Sequence, residues 1–360
     1  MIKNKEEGLW DVKFIDTIQK LVPGTPLREG LENILRAKMG VLVLVDNNHP
    51  LEDIVDGGFV LNCDYTPAGL YELGKMDGAL IISADAKRIL CANAQLIPDS
   101  SLMTTETGTR HRTAERAAKQ TGGLVIAISQ RRNLITMYLG NLRYTLKDIT
   151  VILSRANQAL QTLERYRKVL QRGLTNLSAL EFEDLVTLLD VVEIMIRVEQ
   201  VNRIAREIEL NVIELGSEGR LVSKQLEELM LERDDMELLI KDYCTSKDHY
   251  VHEQVREQLA SLPEESLDIY KISRILGYGA EPNVLEIPVV PRGYRVLRRI
   301  PRLPMWVIDN LVKHFKTLHP IYNAAAADLD DVDGISEVRA KIIKDGLKRV
   351  REQALFDRQG

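Results

Sequence analysis

Gly40-Val41-Leu42-Val43-Leu44-Val45-Asp46 is an unbroken apolar run closed by a glycine and an aspartate. It lacks the polar–apolar alternation of a half-exposed strand and is too short for a buried helix, so it reads as a strand covered on both faces. Such a strand needs helices on either side of its sheet. Upstream, Leu9, Val12, Phe14, Ile15, Ile18 and Leu21 fall on one helical face. Pro23-Gly24-Thr25-Pro26 interrupts that helix, and residues 27–38 resume it with Leu31, Ile34 and Leu35. Downstream, Asn47-Asn48-His49-Pro50 reads as a turn. Short strands are expected at 79–83, 88–92, 124–129 and 134–139, with helices at 67–75 and 113–120 between them. Strands interleaved with helices predict an α/β domain around a central mixed sheet, closing near residue 145.

Two stretches of this domain carry chemistry. Thr107-Gly108-Thr109-Arg110-His111-Arg112-Thr113 packs two arginines, a histidine and three hydroxyls into seven residues, just ahead of the good helix sequence Ala114-Glu115-Arg116-Ala117-Ala118-Lys119. A helix N-terminus offers unpaired N–H groups and the positive end of the helix dipole. Hydroxyls and guanidinium groups added there suit a polyanion such as a triphosphate. The same residues would also serve as a helix cap with surface charge. Asp77-Gly78-Ala79 stands at the start of the strand expected at 79–83. Gly78 permits close backbone approach by a ligand. Asp77, with no evident cation nearby in sequence, is either a Mg²⁺ or Mn²⁺ ligand, a general base, or a turn aspartate. Gly69-Leu70-Tyr71-Glu72-Leu73-Gly74-Lys75 imitates a phosphate-binding P-loop. It is set aside because Met76 replaces the hydroxyl residue and the stretch is helical in pattern.

The 360 residues suffice for two or three domains. An aromatic content of 5% argues against a stacking platform for single-stranded nucleic acid. The net charge of −5 is unevenly spread. Residues 292–351 hold thirteen Lys and Arg against seven Asp and Glu, a net of +6 that leaves −11 elsewhere. A basic module is therefore joined to an acidic body. Cys63, Cys91 and Cys244 have neither disulfide nor zinc spacing and fit a reducing cytosol. Residues 1–10 lack an apolar signal core, and no apolar run reaches the ~18 residues of a membrane helix, so a cytoplasmic protein is expected.

Residues 146–243 contain no proline. Ile149, Leu153, Ala156, Leu160, Leu163 and Leu170 keep a three–four spacing, as do Leu185, Leu188, Val192 and Met195. A third helix is expected from Leu226 to Tyr243, with breaks at Gly173 and Gly216. His249 and His252 read as a surface pair. Pro263, Gly277-Tyr278-Gly279 and residues 282–291 read as a linker. Beyond it, Leu297-Arg298-Arg299-Ile300-Pro301-Arg302-Leu303-Pro304 aligns with Leu329-Asp330-Asp331-Val332-Asp333-Gly334-Ile335-Ser336 at an offset of 32, each copy followed by a helix.

The Asp-Gly-Ala triplet, followed some thirty residues later by Arg-His-Arg after Thr-Gly-Thr, resembles the diadenylate cyclase domain. The C-terminal repeat resembles a tandem helix-hairpin-helix module, and the whole chain is similar to the DNA integrity scanning branch of that cyclase family. The resemblance implies an α/β cyclase domain (1–145), an all-α helical spine (146–285) and an all-α helix-hairpin-helix domain (286–360). It implies condensation of two ATP into cyclic di-AMP with Mg²⁺ or Mn²⁺. Asp77 would be the catalytic and metal-associated carboxylate. Gly78, Ala79 and the backbone near Leu96 would belong to the nucleotide pocket. Thr107, Gly108, Thr109, Arg110, His111, Arg112 and Thr113 would bind phosphates, with Ser129 and Arg132 close by. The hairpins would bind DNA, branched DNA above all, without sequence preference, through Arg298, Arg299, Arg302, Gly334, Ile335, Ser336, Arg339 and Lys341. Pro304 has no N–H to give a phosphate, which favours the second hairpin. Because each ATP must be attacked by the other, a homo-oligomer with facing cyclase sites is expected. A nucleoid-associated cytoplasmic protein follows. Two other classes predict different outcomes: a DNA-binding structural protein that only senses nucleotide, and a nucleotidyltransferase acting on a macromolecule.

Overall fold

The computed structural model describes residues 12–45, 53–231 and 235–359. The turn expected at Asn47 to Pro50, residues 1–10 with Leu9, and the middle of the expected third spine helix lie outside the described residues. The chain begins with helices α1 (Val12–Ile18) and α2 (Pro26–Arg36), followed by strands β1 (Leu42–Val45), β2 (Val55–Asp56) and β3 (Phe59–Asp64). Next come α3 (Pro67–Leu73), β4 (Ala79–Ile82), β5 (Arg88–Leu96), α4 (Thr109–Thr121), β6 (Leu124–Ser129), β7 (Leu134–Leu139) and β8 (Leu142–Thr145). Among the described residues eleven helices follow: α5 (Ile149–Glu183), α6 (Leu188–Leu215), α7 (Arg220–Leu229), α8 (Asp235–Tyr243), α9 (His249–Ser261), α10 (Ile269–Ile275), α11 (Tyr294–Arg298), α12 (Met305–Phe315), α13 (Leu318–Asn323), α14 (Ala326–Asp330) and α15 (Glu337–Gln359). Two compact units result: Met1–Gln158 with Ile208–Lys224, and Ala159–Glu207 with Gln225–Gly360.

The first unit is built on a mixed sheet ordered β2-β5-β4-β1-β6-β7-β8, with β3 also paired to β5. Among the described strands only β1 and β4 pair in parallel, Leu42 beside Ala79. As the apolar run requires, β1 is buried on both faces. Val43 and Val45 face a core with Phe14, Ile18, Leu31 and Ile34 of α1 and α2. Leu42 and Leu44 face the other, with Ala114, Ala117 and Ala118 of α4. The alanines let α4 lie close to the sheet. The P-loop look-alike is α3 itself, capped by the Thr66 hydroxyl and ending at Gly74.

Four expectations differ from the structure. α4 begins at Thr109, four residues earlier than its helix-forming core suggests, with extended Gly108 as its N-cap. Gly173 does not break α5, which runs through it; a Cβ there would lie 2.5 Å from Ile194 Cδ1, so the glycine makes room for α6 to pack. Leu185 is exposed in the turn before α6, and the stretch from Leu226 to Tyr243 divides into α7 and α8. Gly216, with φ +53°, does end a helix, and a Cβ on it would collide with the Pro23 carbonyl oxygen, so only hydrogen fits there.

In the second unit the supposed linker is pinned: the Leu188 N–H bonds the Ile287 carbonyl, and the Val289 N–H bonds the Val186 carbonyl. The 32-residue repeat recurs in the backbone. α11 and α14 have equal length and the same offset, as do the starts of α12 and α15. Leu303 N–H bonds Ile300 and Ile335 N–H bonds Val332, while Ile308 bonds Pro304 and Ala340 bonds Ser336. Arg302 and Gly334, matched by the offset, both have left-handed backbones, with φ of +62° and +84°. Among the described residues no helix is long and apolar enough to cross a membrane.

Candidate functional site

Register brings the chemistry-bearing residues of the first unit to one end of the sheet. β1 and β4 begin there, preceded by Gly40 and by Asp77-Gly78, while β5 and β6 end there at Leu96 and Ser129. Gly78 has φ +96°, and a Cβ on it would lie 2.8 Å from the Ala94 carbonyl oxygen, so glycine is required on two counts. Leu96 pairs with Val55 and its side chain is buried, so only its backbone remains for a ligand. Ala79 is likewise buried.

The first turn of α4 closes this end. Gly108 provides no side-chain cap, which leaves the leading N–H groups to be satisfied from outside the helix. Arg110 runs over Gly40, where a Cβ would meet its Nη1 at 2.9 Å. Its Nη2 stands 4.0 Å from the Asp77 carboxylate, which is itself fully exposed. Asp77 thus has a neighbouring cation that sequence order hid: the contact joins positions 33 residues apart. Arg112 donates to the Thr107 carbonyl at 3.0 Å, holding the loop against the helix. Thr107, Thr109 and Arg112 are exposed and Thr113 half-buried. The Ser129 hydroxyl accepts from the Arg132 N–H at 3.2 Å in the β6–β7 turn. His111 sits half-buried with its ring edge-on to Tyr138 at 6.4 Å. Burial pushes its pKa down; Glu106 opposes this, and Arg132, Arg143 and Arg110 reinforce it.

Among the described residues no group of three or more His, Cys, Asp or Glu side chains could hold a metal. A lone exposed carboxylate fits a Mg²⁺-type ion that takes its other ligands from substrate phosphates and water.

Sequence reading missed the loop before α4. Glu115 accepts from the Thr104 hydroxyl and the Thr105 N–H, and Lys119 donates to the Met103 carbonyl. Arg116 donates to Leu102, and Gln120 accepts from the Asp99 N–H. Glu106 accepts from Tyr138 and Arg143. The available signal was Gly140-Asn141, a two-residue hairpin turn that announces β8 and so sets Arg143 beside Tyr138.

In the second unit, Arg298 and Arg302 are exposed near the first hairpin. Arg299 donates to Ser178 of α5 at 3.3 Å. At the second hairpin Ser336 is exposed and accepts from the Arg339 N–H at 3.4 Å. Lys341 is exposed and pairs with Glu337 at 2.9 Å. Ile335 is buried and its N–H already bonded, so it shapes the turn. Arg339 folds back to donate to the Gly334 carbonyl, 6.0 Å over the ring of half-exposed Trp306. That ring fills the space a side chain at Gly334 would need, a feature no spacing rule reveals.

Residues 28–142 match the family described as DisA bacterial checkpoint controller nucleotide-binding, and residues 146–285 match the DisA bacterial checkpoint controller linker region. A DNA integrity scanning protein DisA from Clostridium botulinum (strain Eklund 17B / Type B) is 55% identical over 357 residues, covering 98% of this chain and 99% of the relative. One from Carboxydothermus hydrogenoformans is 54% identical over 348 residues, covering 96% and 99%.

Proposed function

The chain belongs to the DisA family, and we propose from this that it is a diadenylate cyclase that condenses two ATP into cyclic di-AMP and two pyrophosphates. The observation that carries the reading is the meeting of Asp77, Gly78 and Arg110 at the open N-terminus of α4. In each half-reaction a 3′-hydroxyl gives up its proton, ultimately to solvent, and its oxygen bonds the other nucleotide's α-phosphorus as the bond to the departing pyrophosphate breaks. Arg110, Arg112 and the first N–H groups of α4 offset charge on the triphosphate and its leaving group. His111, largely neutral because of its burial and the surrounding arginines, adds a hydrogen-bond donor. Gly78 lets the nucleotide lie against the backbone. Asp77 would hold Mg²⁺ or Mn²⁺, which when bound lowers the pKa of the attacking hydroxyl and neutralises phosphate charge. Two ATP must face each other, so a homo-oligomer with paired sites across a two-fold axis is the working form.

Replacing Arg110 and Arg112 together with Ala tests the phosphate role. Loss of charge-assisted hydrogen bonds should raise KM for ATP at least about tenfold. The melting temperature should barely change, because exposed arginines add little stability. Unchanged KM and kcat would reduce the motif to a helix cap with surface charge.

The C-terminal repeat and its local charge of +6 support a tandem helix-hairpin-helix that binds DNA phosphates through Arg298, Arg302, Ser336, Lys341 and the backbone of the second hairpin. Branched DNA, offering several duplex arms to the several hairpin domains of an oligomer, is the favoured ligand by avidity. Its binding inhibits the cyclase, since facing sites tolerate little misalignment. On this reading the protein acts at the nucleoid, in the cytoplasm, as a DNA-integrity checkpoint sensor. Affinity should fall with salt at a log–log slope of about −0.9 per phosphate contact. The cyclase rate at saturating ATP should be lower with junction DNA than with linear duplex or none. Equal rates would remove the coupling, and a strong preference for one base sequence would remove the phosphate-binding reading.

A further inference from the structure

We propose that Glu106 is a positioning residue of the cyclase reaction, aiming the first turn of α4 at the nucleotide phosphates by clamping itself between Tyr138 and Arg143. The proposal rests on the cyclase reading above and deepens it.

The Glu106 side chain is 8% exposed. One carboxylate oxygen accepts both the Tyr138 hydroxyl at 2.9 Å and the Arg143 Nε at 2.5 Å. Those donors stand side by side because Tyr138 and Arg143 are register partners across the β7–β8 hairpin. Tyr138 is fully buried against α4, so the clamp is anchored in the core. Burial raises the Glu106 pKa, but the hydrogen bonds from Tyr138 and Arg143 outweigh it and hold the carboxyl below its ordinary value.

Position in the chain gives the clamp its consequence. Glu106 is followed by Thr107 and by Gly108, the N-cap of α4. Neither residue has a side chain able to pack into the core, so the direction in which the chain enters the helix is set by its neighbours. Upstream, Glu115 ties down Thr104 and Thr105. Downstream, Arg112 holds the Thr107 carbonyl. Between these two, the Glu106 N–H bonds the Thr104 hydroxyl at 3.1 Å and its carboxylate adds the clamp, whose partner Tyr138 also carries the ring of His111. Without it the entry to α4 is free to pivot, and the N–H groups, Arg110 and His111 pivot with it. Glu106 touches no reacting atom; it acts through the helix end.

The test compares Glu106→Ala, Glu106→Gln and Tyr138→Phe in the full chain, measuring kcat and KM for ATP and thermal melting. A misplacement of about an ångström costs on the order of 10²-fold in turnover. Glu106→Ala should therefore lower kcat/KM by about 10²-fold at temperatures well below its melting point. Glu106→Gln, whose amide oxygen still accepts both donors, should recover most of that loss. Tyr138→Phe removes one of the two bonds and should fall between them, which keeps the test open if the alanine variant does not fold. Combining Glu106→Ala with Arg112→Ala should cost less than the product of the separate losses, because both act on the same loop. A purely structural role predicts lowered melting with unchanged kcat/KM, and that result would overturn the proposal, as would a glutamine variant as poor as alanine. The unaltered chain is the control: if it forms no cyclic di-AMP, the cyclase reading fails, and the clamp is then judged by ATP affinity in the same variants.

Discussion

Cyclic di-AMP formation by the Asp77→Asn variant should fall by at least ~10²-fold, toward the ~10²–10⁴ range that positioned acid–base groups and metal ligands supply. Asparagine keeps the shape of the side chain and removes its charge. The residue is fully exposed, with Arg110 no nearer than 4.0 Å, so the fold has little at stake. Melting temperature and DNA affinity should match the parent, and ATP affinity should become insensitive to added Mg²⁺ or Mn²⁺. Near-normal turnover in the variant would remove Asp77 from the mechanism.

A second large effect is expected in the other unit. Arg295, 4% exposed, pairs with buried Glu181 and donates to Ser178 and the Leu174 carbonyl. Asp242, also buried, accepts the backbone N–H groups of Gly293, Tyr294 and Arg295 at 2.7, 2.7 and 3.0 Å. Tyr243 donates to Glu181 at 2.6 Å. This network fastens the start of α11 to α5 and α8. Removing one member leaves a buried charge uncompensated, at about 3–5 kcal/mol. Arg295→Met should therefore lower the melting transition of this unit sharply, which denaturant unfolding would measure. A change under ~1 kcal/mol, the level of an exposed pair, would show that the network is not a fastening. The same geometry makes truncation near residue 290 a poor test of DNA binding, because it strands Glu181 and Asp242. Point substitutions at Arg298, Arg302 and Lys341, all exposed, avoid that damage.

Much of this was legible in the sequence where burial leaves a strong pattern. The run from Gly40 to Asp46 announced a doubly covered strand because both of its faces are core. β3 left no such mark: all six of its residues are exposed, and its register slips at Asn62, which has φ +46°. The start of α4 was misread because its first turn is polar and its helix propensity lies further on; extended Gly108 was the informative residue. Gly173 misled because propensity ignores the partner helix, and Ile194 needs that space. At the site, Asp77 and the Arg-His-Arg stretch were readable as residue types. Their proximity was not, since it depends on β1 pairing with both β4 and β6. For Glu106 the signal was indirect, the Gly140-Asn141 turn alone, because its partners come from a hairpin whose second strand has four residues.

Mass analysis of the small molecules formed when the intact chain is incubated with ATP and Mg²⁺ or Mn²⁺ tests the reaction itself. Cyclic di-AMP with two pyrophosphates per ring is the predicted result. Bound but unchanged ATP, or adenylate transferred to protein or nucleic acid with no cyclic dinucleotide, would contradict it.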